Sequence, residues 1–358
     1  MSLFRACCLL VVVLVVFSTE IVTARASKDS SSAGCSKSGG NFTRGTSTET
    51  IGNRSYLLSI PADYSSDTPT PLILSFHGGG QTPSIQLDAD QLANGSVNDQ
   101  YIVIYPEAVH TQWQVSPDSA SDDLDFVTDI LDKAESELCI DTSRLYATGK
   151  SQGGGMVGML ACDEILSTRI AAFAPVSGAF YVAGAQGGDE CDPGTVDLPC
   201  AAGRPDIPVL EFHGGGDEVI PYYGDAGKRG ACLPTIPHWV RAWARRDGLG
   251  ADTNELGLVS HVYDGGNVGH VWPAMVGGDA GGGSPAGTAS FDATPMILEF
   301  FGNYTLPAND TGSVPTGTDG IGGSTQDSTD NSSNLSAGSR KVATVWGLVG
   351  YSMFKSLL

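Results

Sequence analysis

RLYATGKSQGGGMVGMLAC, residues 144–162, decides the fold. Its first part, RLYAT, is short and mostly apolar, as a buried strand would be, and its last part, GGGMVGMLAC, reads as a helix. Between them Gly149-Lys150-Ser151-Gln152-Gly153 fits G-x-S-x-G. Strand, tight turn and helix make that pattern a nucleophile elbow, which exposes the serine hydroxyl at a helix N-terminus. The partial positive charge there favours a nascent oxyanion. With 47 glycines in the chain the bare pattern has little weight, so the flanking strand and helix carry the argument.

Outward from the elbow the pattern alternates. Strands are expected in PLILSFH (71–77), YIVIYP (101–106), AAFAPVSG (171–178), PVLEFHG (208–214) and GLVSHVYDG (257–265). In SDDLDFVTDILDKAESEL the apolar residues Leu124, Val127, Leu131, Ala134 and Leu138 make one helical face. WVRAWARR (239–246) and FDATPMILEFF (291–301) also read as helices. The expected class is α/β, with a mostly parallel central sheet and helices on both faces. Ligands then sit at the carboxyl ends of the strands.

FHGGG occurs twice, at 76–80 and 212–216, each time at the end of an expected strand. The flanks share only strand character, which argues against a repeat. Neither copy continues into GK[ST] or GxGxxG, which argues against a phosphate cradle. A serine nucleophile needs a base within hydrogen-bond reach and a carboxylate to orient that base. His270, in the glycine-rich stretch GNVGHVWP, is the candidate base. Asp217, which ends the second HGGG, is the candidate acid, with Asp225 and Asp264 as rivals. His77 and His213 read as buried structural groups, and His110, His238 and His261 lack a glycine setting. The order Ser151, Asp217, His270 is that of α/β-hydrolases, and the first HGGG matches their oxyanion loop. Backbone N–H groups around Gly78 and Gly79, together with that of Gln152, would then receive the oxyanion.

The two ends of the chain read differently. Residues 1–24 run from Arg5 through CCLLVVVLVVF to small-residue exits, as a secretory signal peptide does. The rival reading is a signal anchor, but the apolar core is about 12 residues where a span needs roughly 20. Removing it leaves six cysteines (Cys35, Cys139, Cys162, Cys191, Cys200 and Cys232), which suggests three disulfides of open connectivity. No Cys/His spacing suits a metal, and no cofactor motif is present. Seven N-x-S/T sequons fit an exported glycoprotein. The net charge of -21 argues against nucleic acid. The catalytic domain is expected over 33–304. Residues 305–335, rich in Ser, Thr and Gly, read as a disordered stalk, and 336–358 as the hydrophobic tail of a GPI-attachment signal with its acceptor near Asn331–Ser333. The alternative is a tail that frays or is clipped.

SIPADYSSDTPTPLILSFHGGGQT, RLYATGKSQGGGMVGMLACD, VLEFHGGGDEVIPYYG, CLPTIPHWVRAWARRDG and GHVWP together resemble secreted fungal feruloyl esterases. These are relatives of polyhydroxybutyrate depolymerases and acetylxylan esterases within the α/β-hydrolases. The resemblance spans roughly residues 33–303 and implies hydrolysis of hydroxycinnamoyl esters on plant cell-wall xylan. By motif match it implies Ser151 as nucleophile, Asp217 as acid and His270 as base. A flat phenolic acyl group would need an apolar, aromatic pocket. The candidates near the rim are Trp113, Phe180, Tyr181, Tyr222 and Trp272, with residues 182–204, containing Cys191 and Cys200, as a disulfide-braced cap. An acetylxylan esterase or a polyhydroxyalkanoate depolymerase-like hydrolase is the alternative, and an inert surface-binding protein the remote one.

Overall fold

The structure, a computed structural model, describes residues 30–37, 44–188, 190–249, 258–263, 268–275 and 289–307. The expected signal peptide, the GPI signal, Asp264 and all but the first three residues of the expected stalk lie outside them.

The strands are β1 (Gly45–Ile51), β2 (Arg54–Ile60), β3 (Thr70–Phe76), β4 (Ile102–Pro106), β5 (Ile140–Lys150), β6 (Ala172–Val176), β7 (Val182–Gln186), β8 (Val209–His213), β9 (Ala231–Cys232) and β10 (Val259–Tyr263). The helices are α1 (Pro83–Asp90), α2 (Asp123–Glu137), α3 (Gln152–Cys162), α4 (Leu166–Arg169), α5 (Ile236–Arg246) and α6 (Ala293–Gly302). Eight strands form one sheet in the order β1-β2-β4-β3-β5-β6-β8-β10, and β7 pairs with β9 apart from it. From β4 to β10 every pairing is parallel, so the carboxyl ends of β3, β5, β6 and β8 share one rim. The α/β expectation, with helices on both faces, holds.

Every residue of β3 is buried, as a strand covered on both faces requires. Leu72, Leu74 and Phe76 enter one core with Phe126 of α2, Met156 of α3 and Trp239 of α5. Ile73 enters the other, with Ile297 and Phe301 of α6. Each expected strand and helix is present. The antiparallel β1–β2 hairpin is an addition: β1, GTSTETI, is exposed or half-buried throughout and shows no apolar face to the reader of the sequence. The short helix α1 is another. At the far end Leu306 N–H bonds the Ser143 carbonyl at 2.9 Å, so chain beyond Tyr304 still lies on the domain.

All six cysteines pair: Cys35–Cys139, Cys162–Cys200 and Cys191–Cys232. Cys191 and Cys200 do not join each other. One ties residues 182–204 to β9, the other to the end of α3, so the segment is fastened to the domain at two points. Among the described residues no helix is long and apolar enough to cross a membrane. Replacing Cys162 and Cys200 together by Ser should lower the melting temperature by the equivalent of about 2–4 kcal/mol. Differential scanning calorimetry checks this, and an unchanged melting temperature would contradict it.

Candidate active site

Between β5 and α3 the chain turns at Ser151 with φ 59° and ψ -121°, left-handed backbone that a non-glycine residue holds only under constraint. The constraint is visible. Ser151 N–H bonds the Val176 carbonyl at 2.9 Å, and its own carbonyl accepts the N–H groups of Gly155 and Ala179, each at 2.9 Å. The side chain does not cap its own helix, which leaves Oγ for chemistry. A Cβ at Gly153 would lie 2.1 Å from the Phe76 carbonyl oxygen, so only glycine lets α3 start against the end of β3.

The loop after β3 is the first HGGG. Ala108 N–H donates to His77 Nε2 at 3.1 Å, so the ring proton is on Nδ1 and is donated to the Gly78 carbonyl at 2.8 Å. Burial keeps His77 below the ordinary histidine value. It is a structural pin, as its strand-end position suggests. A Cβ at Gly78 would lie 3.4 Å from Ser151 Cβ, so the loop backs onto the nucleophile. Gly78 N–H, expected as an oxyanion donor, is already bonded to Gln81 Oε1 at 3.1 Å. Gly79 N–H has no hydrogen bond to a described residue and is the donor left available in this loop. The Gln152 side chain braces the other side, accepting Trp113 N–H at 3.2 Å and donating to Gln112 Oε1 at 2.8 Å.

His270 and Asp217 are in contact. Nδ1 of His270 donates to Asp217 Oδ2 at 2.7 Å, while Oδ1 accepts the N–H groups of Val219 at 2.9 Å and Ile220 at 2.7 Å. With its proton on Nδ1, the ring keeps a lone pair on Nε2, the form a general base needs. The loop carrying His270 runs against the second HGGG. A Cβ at Gly214 would lie 2.3 Å from the Val268 carbonyl oxygen, and Gly216 N–H bonds that oxygen at 2.9 Å. Val176 holds Ser151, and the next residue, Ser177, donates its hydroxyl to the Val271 carbonyl at 3.3 Å. The anchors of the candidate nucleophile and base are thus one residue apart. The rival Asp225 faces elsewhere, bonding Gly227 N–H at 2.8 Å and pairing its backbone with Leu233. Among the described residues no group of three or more His, Cys, Asp or Glu side chains is arranged to hold a metal ion.

Comparison with known proteins bears on the family and the fold. No family model matches the sequence. The chain is 30% identical over 275 residues to the "Probable feruloyl esterase C" of Aspergillus niger, covering 75% of this chain and 90% of that one. It belongs to the feruloyl esterase family. It is also 30% identical over 179 residues to the feruloyl esterase C of Emericella nidulans, 49% of this chain and 58% of that one. Over 155 residues, 43% of this chain and 20% of the other, it is 32% identical to a bifunctional acetylxylan esterase/xylanase of Neocallimastix patriciarum. Among solved structures, the acetyl xylan esterase from Aspergillus awamori matches 72% of this chain and 98% of its own with a TM-score of 0.50 at 16% identity, a likeness of fold alone. The protein is a carboxylic-ester hydrolase.

In this esterase four of the five expected aromatic contacts are buried, Trp113 and Trp272 most completely. Trp113 is fully buried and its indole N–H bonds the His77 carbonyl at 2.7 Å, holding the first HGGG. Trp272 is equally enclosed: its indole N–H bonds Thr294 Oγ1 at 2.9 Å, and that hydroxyl bonds the Asp90 carbonyl at 2.7 Å. It fixes the His270 loop to α6. Tyr222 is buried too, with its hydroxyl 3.2 Å from His261 Nε2 and its ring 4.3 Å from that of Tyr263. Phe180 and Tyr181 line a cavity of about 610 Å³ together with Gly155, Gly158, Met159 and Trp239. Phe180 stacks on Trp239 at 3.8 Å over Gly158. Trp239, Met159 and Gly158 escaped notice in the sequence because they lie inside ordinary helical patterns.

Burial lowers His270 below its ordinary value of 6.5, more than the Asp217 carboxylate raises it, with Lys150 and His213 adding to the lowering. A base is active when deprotonated, so the acidic limb of kcat/KM should fall below pH 6.5. A pH profile on p-nitrophenyl acetate checks this, and a limb above pH 7 would contradict it.

Proposed function

We propose that this protein hydrolyses feruloyl and related hydroxycinnamoyl esters of plant cell-wall xylan, through a Ser151-Asp217-His270 triad and an acyl-enzyme. The observation that carries the acyl preference is the aromatic-lined cavity. One wall of it, Gly155, Gly158, Met159 and Cys162, is the stripe of α3 that begins one helical turn from Ser151, about 6 Å along the axis. A flat phenol suits that space, and the names of the Aspergillus niger and Emericella nidulans relatives point the same way.

Ser151 Oγ attacks the ester carbonyl while His270 Nε2 takes its proton. Asp217 holds the imidazolium, and the N–H groups of Gly79 and Gln152 receive the oxyanion. The sugar alcohol leaves with the proton from His270. Water, activated by the same base, then attacks the acyl-enzyme and frees the carboxylic acid and Ser151. The second reading is acetyl ester hydrolysis, favoured by the name of the Neocallimastix patriciarum relative. Three disulfides, seven sequons and the apolar leader support action outside the cell. The tail supports a GPI anchor, which release by phospholipase C would test.

One panel separates the readings: methyl ferulate, acetylated xylan and a short hydroxybutyrate ester, assayed on wild type, Ser151→Ala and Met159→Trp. Ser151→Ala should lower kcat by about six orders of magnitude on every substrate turned over. Met159→Trp fills the cavity and should cut kcat/KM for methyl ferulate about tenfold or more while sparing the acetyl ester, since filling a pocket excludes only the group that needs it. Equal losses on both esters, or a wild type that prefers acetate, would overturn the feruloyl reading.

A further inference from the structure

Glu211 is a completely buried carboxylate in the middle of β8, and the chemistry above does not use it. Two residues on, His213 is 1% exposed at the strand's end. His213 Nδ1 lies 2.8 Å from Glu211 Oε1, and Nε2 lies 2.8 Å from the Ile220 carbonyl oxygen. A carbonyl oxygen can only accept, so Nε2 carries a proton. Toward an ionised Glu211, which can only accept, Nδ1 carries one as well. Donating from both nitrogens makes the ring an imidazolium. The same Nε2 is 3.5 Å from Asp217 Oδ2, the oxygen that holds His270. Ile220 links the two groups, bonding His213 with its carbonyl and Asp217 Oδ1 with its N–H. The four groups follow one another in contact: Glu211, His213, Asp217, then His270.

Resting on the triad reading above, we propose that His213, kept protonated by Glu211, is a positioning residue for Asp217, and that its charge sets the pH range in which His270 is a free base. A carboxylate taken out of water is held best by a buried counter-charge that is itself paired. His213 supplies that counter-charge to Asp217, and Glu211 supplies it to His213. The surroundings fit. Burial alone would make the ring neutral, but Glu211, Asp217 and the Ile220 carbonyl outweigh it and raise His213 above its ordinary value of 6.5. Of the other groups facing this line, His261 of β10 pairs in register with Glu211, Tyr222 has its ring 6.0 Å from that of His213, and Lys150 acts on His270 from the elbow in the same sense as His213.

The test is the acidic limb of kcat/KM on p-nitrophenyl acetate, a probe independent of acyl preference. Glu211→Gln keeps an acceptor for Nδ1 but removes the charge that holds the second proton. Losing a positive neighbour raises His270, so the limb should move to higher pH by about half a unit to one unit. His213→Gln should move it in the same direction, and the double variant should move it no further than His213→Gln does. A limb that stays put in folded Glu211→Gln, with only the melting temperature reduced, would make the pair structural and overturn the proposal. Should Glu211→Gln fail to fold, nitrogen NMR of histidine-labelled wild type at pH 7 decides: both His213 ring nitrogens protonated supports the proposal, one unprotonated nitrogen refutes it. Turnover retained in Ser151→Ala would instead sink the triad reading, so the two failures are distinguishable.

Discussion

The start of α3 lies so close to the end of β3 that a methyl group on Gly153 would sit 2.1 Å from the Phe76 carbonyl oxygen. Everything at the rim depends on that approach. It puts Ser151 into left-handed backbone at the head of a helix, with its side chain free of local hydrogen bonds and the first HGGG loop directly behind it. A larger residue would have to push the helix or the strand away, and the serine would lose its place against the loop. The second HGGG obeys the same constraint at Gly214, where the neighbour is the backbone leading to His270. The likeness of the two pentapeptides goes no further, since Gly78 and Gly79 of the first meet the side chains of Gln81, Ser151 and Gln152 rather than backbone.

Around these backbone contacts a buried polar scaffold keeps the loops still. His77 and Trp113 fasten the first HGGG, while Trp272, Thr294 and the Asp90 carbonyl fasten the base loop. Asp90 is itself fully buried and bonded by Ser75, Tyr105 and the Leu92 N–H, and burial pushes it up to about 7. The indoles are thus used as hydrogen-bond donors on apolar bodies, which is how a buried tryptophan is normally satisfied. Two disulfides then fix residues 182–204, and Cys162, Leu198 and Pro199 close one end of the cavity.

What the sequence made legible was whatever backbone geometry imposes on residue type. The elbow, both HGGG turns and the buried strands required glycine or unbroken apolar runs, and in the fold Ser151 heads α3 while His270 bonds Asp217. Side-chain direction was not legible. Trp113 and Trp272 are near the rim in sequence, yet nothing in HTQWQ or GHVWP says that their rings turn inward. Nor does the sequence show that the Gly78 N–H donates to Gln81 Oε1. Glu211 is hidden in PVLEFHG because a lone acid in an apolar strand reveals its partner only when the strand's end and the acid loop are seen together. The β1 strand is hidden for the opposite reason, since both its faces are polar enough to pass for loop.

In the proposed mechanism Ser151 alone is the activated nucleophile. Fluorophosphonate labelling of the folded protein, followed by peptide mass spectrometry, measures this directly. One adduct per chain is expected, on the peptide containing Ser151, and it should vanish in His270→Ala, because an unactivated serine does not react. An adduct on a different serine, or none on the folded wild type, would contradict the account.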